Sequence, residues 1–91
     1  MSPQSNMKLP TIHLNGTSAK SLAESYQFAA TELSSALTAL QNVELNGRDY
    51  YPQGQEAWSQ AREEYIERCR KLKNIVDEVQ AIADHCWEAV K

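Results

Sequence analysis

The sequence lacks the features on which several large classes of protein depend. It has 9 Lys and Arg against 12 Asp and Glu, a formal net charge of -3, so there is no basic excess to displace counterions from a nucleic-acid backbone. It also has no apolar run approaching the ~18 residues of a membrane span and no signal peptide. We therefore expect a soluble cytoplasmic protein whose partners include neither a nucleic-acid polymer nor a membrane.

Cysteine and histidine are scarce, with two of each. Cys69 and Cys86 fall in one predicted helix, roughly 25 Å apart, and so cannot form a disulfide within the chain. The intervals among these cysteines, His13 and His85 are too long for a zinc site. We expect reduced thiols, no metal and no cofactor.

Signatures of catalysis are missing as well. No nucleophile has an evident base nearby, no glycine-rich phosphate loop is present, and the acidic residues are spread evenly along the predicted helices. The expectation is a protein that is not an enzyme, with no catalytic residue assigned.

The 91 residues allow one small domain, which buries little surface unless a partner covers more of it. Residues 10–14 alternate polar and apolar, which predicts a short extended segment with Ile12 and Leu14 on one face. The predicted parts are a flexible leader at 1–10 and a single helical domain at 11–91, with helices at about 18–45 and 55–90 and a loop at 46–54.

Apolar residues recur in both predicted helices at alternating spacings of three and four, as in a heptad seam. The stripe of the first helix consists of Leu22, Tyr26, Ala29, Leu33, Ala36, Leu40 and Val43. Ala30 and Leu37 widen it, and the small residues Ala29, Ala30 and Ala36 allow another helix to approach closely. The stripe of the second helix consists of Trp58, Ala61, Tyr65, Arg68, Leu72, Ile75, Val79, Ile82, Cys86 and Ala89. Arg68 is costly to bury unless paired, so exposure to solvent, a salt bridge and an anionic ligand remain open.

A second apolar stripe lies beside the first on the second helix: Ile66, Cys69, Val76, Ala83, Trp87 and Val90. One hairpin cannot cover both stripes, which predicts that another copy packs on the second one. The expected fold class is therefore all-α: a long helical hairpin of two antiparallel helices with a short extended N-terminal segment, assembling into a helical-bundle homo-oligomer.

Residues 15–18 end the extended segment and begin the first helix. Gly16 permits backbone conformations that other residues resist, and Thr17 or Ser18 can cap the free amides of the first turn. The same amides and hydroxyls, with the Asn15 amide and Lys20 just inside the helix, can also form a small anion or phosphate site. A capped helix start and an anion site both remain open.

The loop at 46–54 carries more chemistry than a plain turn needs. Arg48 suits bidentate contact with phosphate or carboxylate. Tyr50 and Tyr51 suit stacking on a planar ring, and Asp49 suits a ribose or base donor or the orientation of Arg48. The alternative is that Arg48 and Asp49 pair while both tyrosines pack under the loop.

The two motifs cannot meet within one chain. A first helix of ~27 residues is ~40 Å long, so residues 15–18 and the loop lie at opposite ends of it. They can share a site only between antiparallel copies, where the N-terminal motif of one subunit meets the loop of its neighbour. The far end of the second helix brings His85 and Trp87 near the N-terminal motif.

The stretches IHLNGTSAK at 12–20 and NGRDYY at 46–51, followed by a second helix with Trp58, resemble a widespread family of small phage-encoded proteins. The similarity covers about residues 11–91. The chain is also similar in kind to phage counter-defence sponge proteins, oligomers that sequester the nucleotide messengers of immune systems such as CBASS and Thoeris between subunits. The resemblance implies a phage origin and a place in the host cytoplasm.

The resemblance and the loop together predict a phage counter-defence protein that sequesters a small anionic nucleotide signal in inter-subunit pockets, without catalysis. The ligand would be a cyclic nucleotide or an ADP-ribose derivative. The candidate ligand-binding residues are His13, Asn15, Gly16, Thr17, Ser18, Arg48, Asp49, Tyr50 and Tyr51. Two alternatives stay open: a protein-protein interaction module that inhibits a host defence enzyme, and a purely structural phage oligomer.

Overall fold

The structure, a computed structural model, describes residues 7–90 and contains no strand in that range. Two long helices, α1 (Ala19–Gln41) and α2 (Gln55–Glu88), are joined by a connection with two short 3-10 turns, Gly47–Asp49 and Tyr51–Gln53. Gln27 contacts Gln80, while Leu40 contacts Tyr65, so the helices run antiparallel. The predicted all-α hairpin is confirmed.

Helix α1 begins where the sequence predicted and ends earlier. The side chain of Ser18 accepts a hydrogen bond from the backbone N–H of Ser21 at 3.1 Å, so the capping interpretation is confirmed for this residue. At the other end Asn42 is the C-cap, whereas the prediction ran to Leu45. Asn is common at helix ends because its short polar side chain tolerates non-helical backbone.

Helix α2 is continuous from Gln55 to Glu88 and passes without a break through Arg68, the charged residue of the predicted stripe. It follows Gly54, whose φ of 106° lies in the region that glycine favours. Arg68 is exposed and forms an ion pair with Glu64 at 3.7 Å, so the salt-bridge interpretation is confirmed. Such exposed pairs contribute little stability.

Small side chains predominate among the buried residues of the two helices. The buried apolar residues are Ala19, Ala23, Ala30 and Leu37 on α1 and Ala83 and Cys86 on α2. On α1 the contact is shifted by about one residue from the main predicted stripe, since Ala36 and Val43 are exposed, whereas Ala30 and Leu37, which were predicted to widen that stripe, are buried. On α2 the contact runs between the two predicted stripes, one of which supplies Ala83 and the other Cys86. Alanines allow the helix axes to approach closely, and this decides where the contact lies.

The N-terminal segment lies against the end of α2, where the Nε2 atom of His85 and the carbonyl oxygen of Pro10 are 2.7 Å apart. His85 therefore contacts the segment just before the N-terminal motif, whereas Trp87, predicted to lie near the same motif, donates to Gln27 on α1. The chain turns at residues 13–16, with the N–H of Gly16 donating to the carbonyl of His13. Leu14 is 98% exposed in this turn while Ile12 is half-buried, so the predicted alternation is wrong.

The flexible leader was predicted for residues 1–10, of which 1–6 lie outside the described residues. In the rest of that stretch, Met7 and Pro10 are half-buried. No helix within residues 7–90 combines the length and the apolar character needed to cross a membrane.

Tyr65 connects the middle of α2 to the end of α1. Its hydroxyl donates to the carbonyl of Leu40 at 2.9 Å, in the last turn of α1, where helical hydrogen bonding ends. Burial, together with the neighbouring Cys69 thiol, raises the pKa of Tyr65 above its ordinary value of 10.0. A pKa raised by folding means that the folded chain holds this proton more tightly than the unfolded chain, so stability is lost as the pH rises past the unfolded value.

Replacing Tyr65 by Phe is therefore expected to lower the Tm by roughly 5 °C at pH 7 and to weaken the loss of stability above about pH 10. Thermal unfolding followed by circular dichroism between pH 8 and 11 would measure both effects. Tyr51→Phe is the matched control, because the Tyr51 ring is exposed. Equal melting curves for the two variants at every pH would contradict the role of the Tyr65 hydroxyl.

Candidate functional site

The loop between the helices is built on the indole of Trp58, one turn into α2. The Tyr50 and Trp58 ring centroids are 6.0 Å apart at an interplanar angle of 33°. Gly47 lies against the indole so closely that a Cβ there would be 3.4 Å from Trp58 Cε2. The Arg62 guanidinium carbon is 6.0 Å from the ring centroid on the helix side. The Trp58 indole therefore packs between the loop and α2 and holds the loop in place.

Local hydrogen bonds hold the backbone of the loop. The side-chain oxygen of Asn46 accepts from the N–H of Arg48 at 3.3 Å, and the Asn46 carbonyl accepts from the N–H of Asp49 at 3.1 Å. The second 3-10 turn contains Pro52, whose ring restricts the backbone further. These contacts leave the loop few conformations.

The side chains that the loop presents to solvent are those of Arg48, Asp49 and Tyr51. Arg48 and Asp49 are exposed, and within residues 7–90 neither side chain has an ion pair or a hydrogen bond. Tyr51 is 69% exposed, whereas Tyr50 is half-buried on Trp58. The Arg48–Asp49 pairing is thus wrong, and packing under the loop is confirmed for Tyr50 alone.

The N-terminal motif is shallow and exposed. The hydroxyl of Ser18 is committed to the cap of α1, while Asn15 and Thr17 are exposed and make no side-chain hydrogen bond within residues 7–90. The ring of His13 folds over Gly16, where an added Cβ would come within 2.8 Å of His13 Nε2. Within one chain, this motif offers free polar groups without a cavity around them.

The two motifs lie at opposite ends of the hairpin. They are separated by α1, whose 23 residues span about 35 Å, in a molecule of 61 × 23 × 17 Å. The structure therefore brings His13 together with Gly16, and Arg48 together with its loop neighbours. It does not bring the two groups together within one chain.

A depression of about 160 Å³ lies beside the loop. It is lined by Tyr50, Gln53, Ala57, Gln60, Ala61 and Glu64. Pockets for small ligands usually measure about 300–1,000 Å³, so this depression is too small to enclose one. The single chain presents at most part of a binding site here.

A larger groove of about 360 Å³ runs between the helices on one broad side of the hairpin. It is lined by the hydroxyl residues Thr31, Ser34, Ser35 and Thr38 together with Val76, Asp77, Gln80 and Ala30. At its end the side-chain amides of Gln27 and Gln80 exchange two hydrogen bonds, and Trp87 Nε1 donates to Gln27. This side of the hairpin is polar.

Sequence reasoning missed Trp58 as the support of the loop. It assigned this residue to the seam between the helices, because the spacing fits. The available signal was its place a few residues after Gly54, where a large aromatic in the first turn of a helix can lie under the preceding loop.

No protein-family model matches the chain, and no curated protein or solved structure matches it either. The resemblance to a phage-encoded family therefore stays a prediction.

Proposed function

We propose that this chain is a subunit of a non-enzymatic homo-oligomer that binds a small anionic ligand through the loop at 46–54. The observation that supports this is the pair of exposed side chains, Arg48 and Tyr51, on a loop held in place by Trp58. A loop ordered before binding loses less conformational freedom when it binds, which favours affinity.

The chemistry of these groups suits a nucleotide. The Arg48 guanidinium can bind a phosphate through two parallel hydrogen bonds. The Tyr51 ring is free to stack on a base, and the Asp49 carboxylate can accept from a ribose hydroxyl or an exocyclic amine. Tyr50 was predicted to stack on a planar ring of the ligand, but its own ring is engaged with Trp58. Its role in the proposed site is to hold the loop.

The site we propose lies between subunits. The depression beside the loop is too small to enclose a nucleotide, so a neighbour must supply the remaining wall. The N-terminal motif of an adjacent copy has the right groups, since Asn15 and Thr17 have free polar side chains and His13 can donate or accept a hydrogen bond. Ser18 would contribute less, because its hydroxyl caps α1.

More specifically, the proposed function is that of a phage counter-defence protein, which sequesters a cyclic nucleotide or an ADP-ribose derivative in the cytoplasm of its host. It is supported by the resemblance of the motif pair at 12–20 and 46–51 to the family of small phage-encoded proteins. Sequestration needs tight binding and no bond cleavage, which is consistent with a site composed of an arginine, aromatic rings and amide and hydroxyl groups.

The test is native mass spectrometry of the protein purified from cells with an active nucleotide-signalling defence system, compared with cells that lack one. We expect an added mass of a few hundred daltons per site, lost in Arg48→Ala with the oligomer and its helicity unchanged. Loss of this charged bidentate contact should weaken binding of the eluted ligand about 100-fold. Arg70→Ala is the matched control, because Arg70 is exposed on α2 and paired with Glu67.

Two outcomes would contradict the proposal. Retention of the added mass by Arg48→Ala would remove Arg48 from the site. A clean oligomer with no added mass under either condition would overturn ligand binding and favour a host protein as the partner, with the exposed Ile66 on α2 as a contact.

A further inference from the structure

One broad side of the hairpin is apolar, opposite the hydroxyl-lined groove. On each helix this side contains positions that precede a buried residue by one, or that lie seven residues before such a position, and one residue along a helix is a rotation of about 100°. Because the helices are antiparallel, the same step leads to the same side of the hairpin from both. We call this side the apolar face, and its defining residues are Leu22, Ala29 and Ala36 on α1 and Ile75 and Ile82 on α2.

The apolar face is incompletely covered. Ile75 is 47% exposed, and Ala36 is also exposed. A depression of about 330 Å³ lies at one end of the face, with Leu22 and Ala29 in its wall. The seven-residue spacing from Leu22 through Ala29 to Ala36 keeps the surface continuous along α1. The carbonyl of Pro10 contacts His85, three residues after Ile82, so the N-terminal segment lies near one end of this side of α2.

Two charged residues on this side of α2 form no ion pair within residues 7–90. Within residues 7–90, the ion pairs of α2 are Arg68–Glu64, Arg70–Glu67 and Lys73–Asp77. Lys71 and Glu78, which border the apolar face, belong to none of them in that range. They are seven residues apart, hence on the same side of α2 but about 10 Å apart along it, which is too far for a pair within the chain.

We infer that a second copy of the chain packs antiparallel on the apolar face, about a two-fold axis beside Ile75. Under such an axis every contact occurs twice with the roles exchanged. An axis midway between Lys71 and Glu78 sets Lys71 of each copy opposite the partner's Glu78 and satisfies both charges. Ile75 then lies at the centre of the interface, in the position where buried apolar groups contribute most.

This arrangement differs from the one expected from the sequence, in which the stripe containing Ile66 packs on another copy. Part of that stripe is used within the hairpin, since Ala83 is fully buried. The side of α2 on which Ile66 lies also adjoins the polar groove, with Asp77 and Gln80 in its wall. On the apolar face, the lining of the depression is mainly apolar: Leu22, Ser25, Tyr26 and Ala29.

The same axis would complete the ligand site, and this step rests on the proposed function. Because the loop and the N-terminal motif lie at opposite ends of one hairpin, an antiparallel copy brings its N-terminal motif to the loop end of the first. Each dimer would then hold two equivalent sites, with Arg48 from one subunit and Asn15 from the other.

Charge exchange tests the interface directly. Sedimentation velocity over a concentration series would give the dimer Kd of Lys71→Glu, Glu78→Lys and the double variant. Each single change should raise the Kd at least about 10-fold by opposing like charges, and the double change should restore it to within about 3-fold of the original. A monomeric parent chain, unchanged single variants, or a double variant that adds the two losses would overturn the inference.

A matched pair of isoleucines locates the face. Ile75 and Ile66 are 47% and 49% exposed but nine residues apart, about two and a half turns, so they lie on opposite sides of α2. Ile75→Asp should abolish the dimer with helicity retained, and Ile66→Asp should leave it intact. The reverse result would overturn the inference.

The outcomes separate the two proposals. A dimer that follows the charge-exchange pattern but carries no ligand from any cell supports this interface and overturns the proposed function. Ligand retained by protein whose association ignores all four substitutions overturns the interface and leaves the proposed function standing.

Discussion

Replacing Ala83 by Leu is expected to lower the free energy of unfolding by about 2 kcal/mol, through overpacking. Ala83 and Ala23 are fully buried, and the Gln27–Gln80 hydrogen bonds fix their register. Gln27 lies one turn after Ala23, and Gln80 one turn before Ala83, so the two alanines face each other at the same level of the antiparallel pair. An isobutyl group there must push the helices apart.

Urea unfolding at fixed protein concentration, followed by circular dichroism, would measure this loss. Fixed concentration is needed because association would raise the apparent stability. Ala39→Leu is the control: Ala39 is exposed on α1, and a surface change of this kind usually alters stability by less than about 0.5 kcal/mol. Equal midpoints for the two variants would contradict close contact at Ala83.

Replacing Trp58 by Ala is expected to release the loop and to remove ligand binding about as completely as Arg48→Ala does. The indole is the common contact of Gly47, Tyr50 and Arg62, so without it the loop must be ordered at the moment of binding. The loss of a half-buried aromatic should also cost about 2 kcal/mol, below the range for fully buried ones.

Hydrogen exchange would report the release of the loop. The N–H groups of Arg48 and Asp49, which are hydrogen-bonded within the first 3-10 turn, should exchange faster in Trp58→Ala than in the parent chain. Trp87→Ala removes an indole from the other end of α2 and serves as the control. Slow exchange at both amides in the absence of Trp58 would show that the loop is held by its local hydrogen bonds alone.

Much of the hairpin could be predicted because its signals are local. Ser18 caps α1 through a bond to a residue three positions away, and the loop at 46–54 is marked by its glycines and proline. The end of α1 was placed too late because Val43 continues the apolar spacing, while Asn42, which ends the helix, contributes nothing to that pattern. Hydrophobic spacing locates a face of a helix and not the residue at which the helix stops.

The contact between the helices was harder to place for a different reason. Apolar spacing identifies residues that avoid water, but not which neighbour removes them from it. Leu22 and Ile75 fit a seam by spacing, yet the most deeply buried residues include the alanines at 23, 30 and 83. If a second copy covers the apolar face, the predicted stripes describe the assembled molecule better than the single hairpin.

The candidate site, too, could be predicted only in part. The residue types of Arg48 and Tyr51 indicated recognition chemistry, and the structure leaves both side chains exposed. The supporting role of Trp58 depends on how the connection folds back over α2, which no short stretch of sequence specifies. The engagement of Tyr50 by that indole follows from the same fold.

The two thiols make separation of the helices measurable by chemistry. Cys86 is fully buried in the helix contact, whereas Cys69 is partly exposed, so a thiol reagent added to the native protein should reach Cys69 first and Cys86 only when α2 parts from α1. The rate of the slow phase of modification therefore measures how often the helices separate, and no engineered label is needed. This rate, compared between protein with and without ligand, reports how firmly a bound molecule holds the hairpin closed.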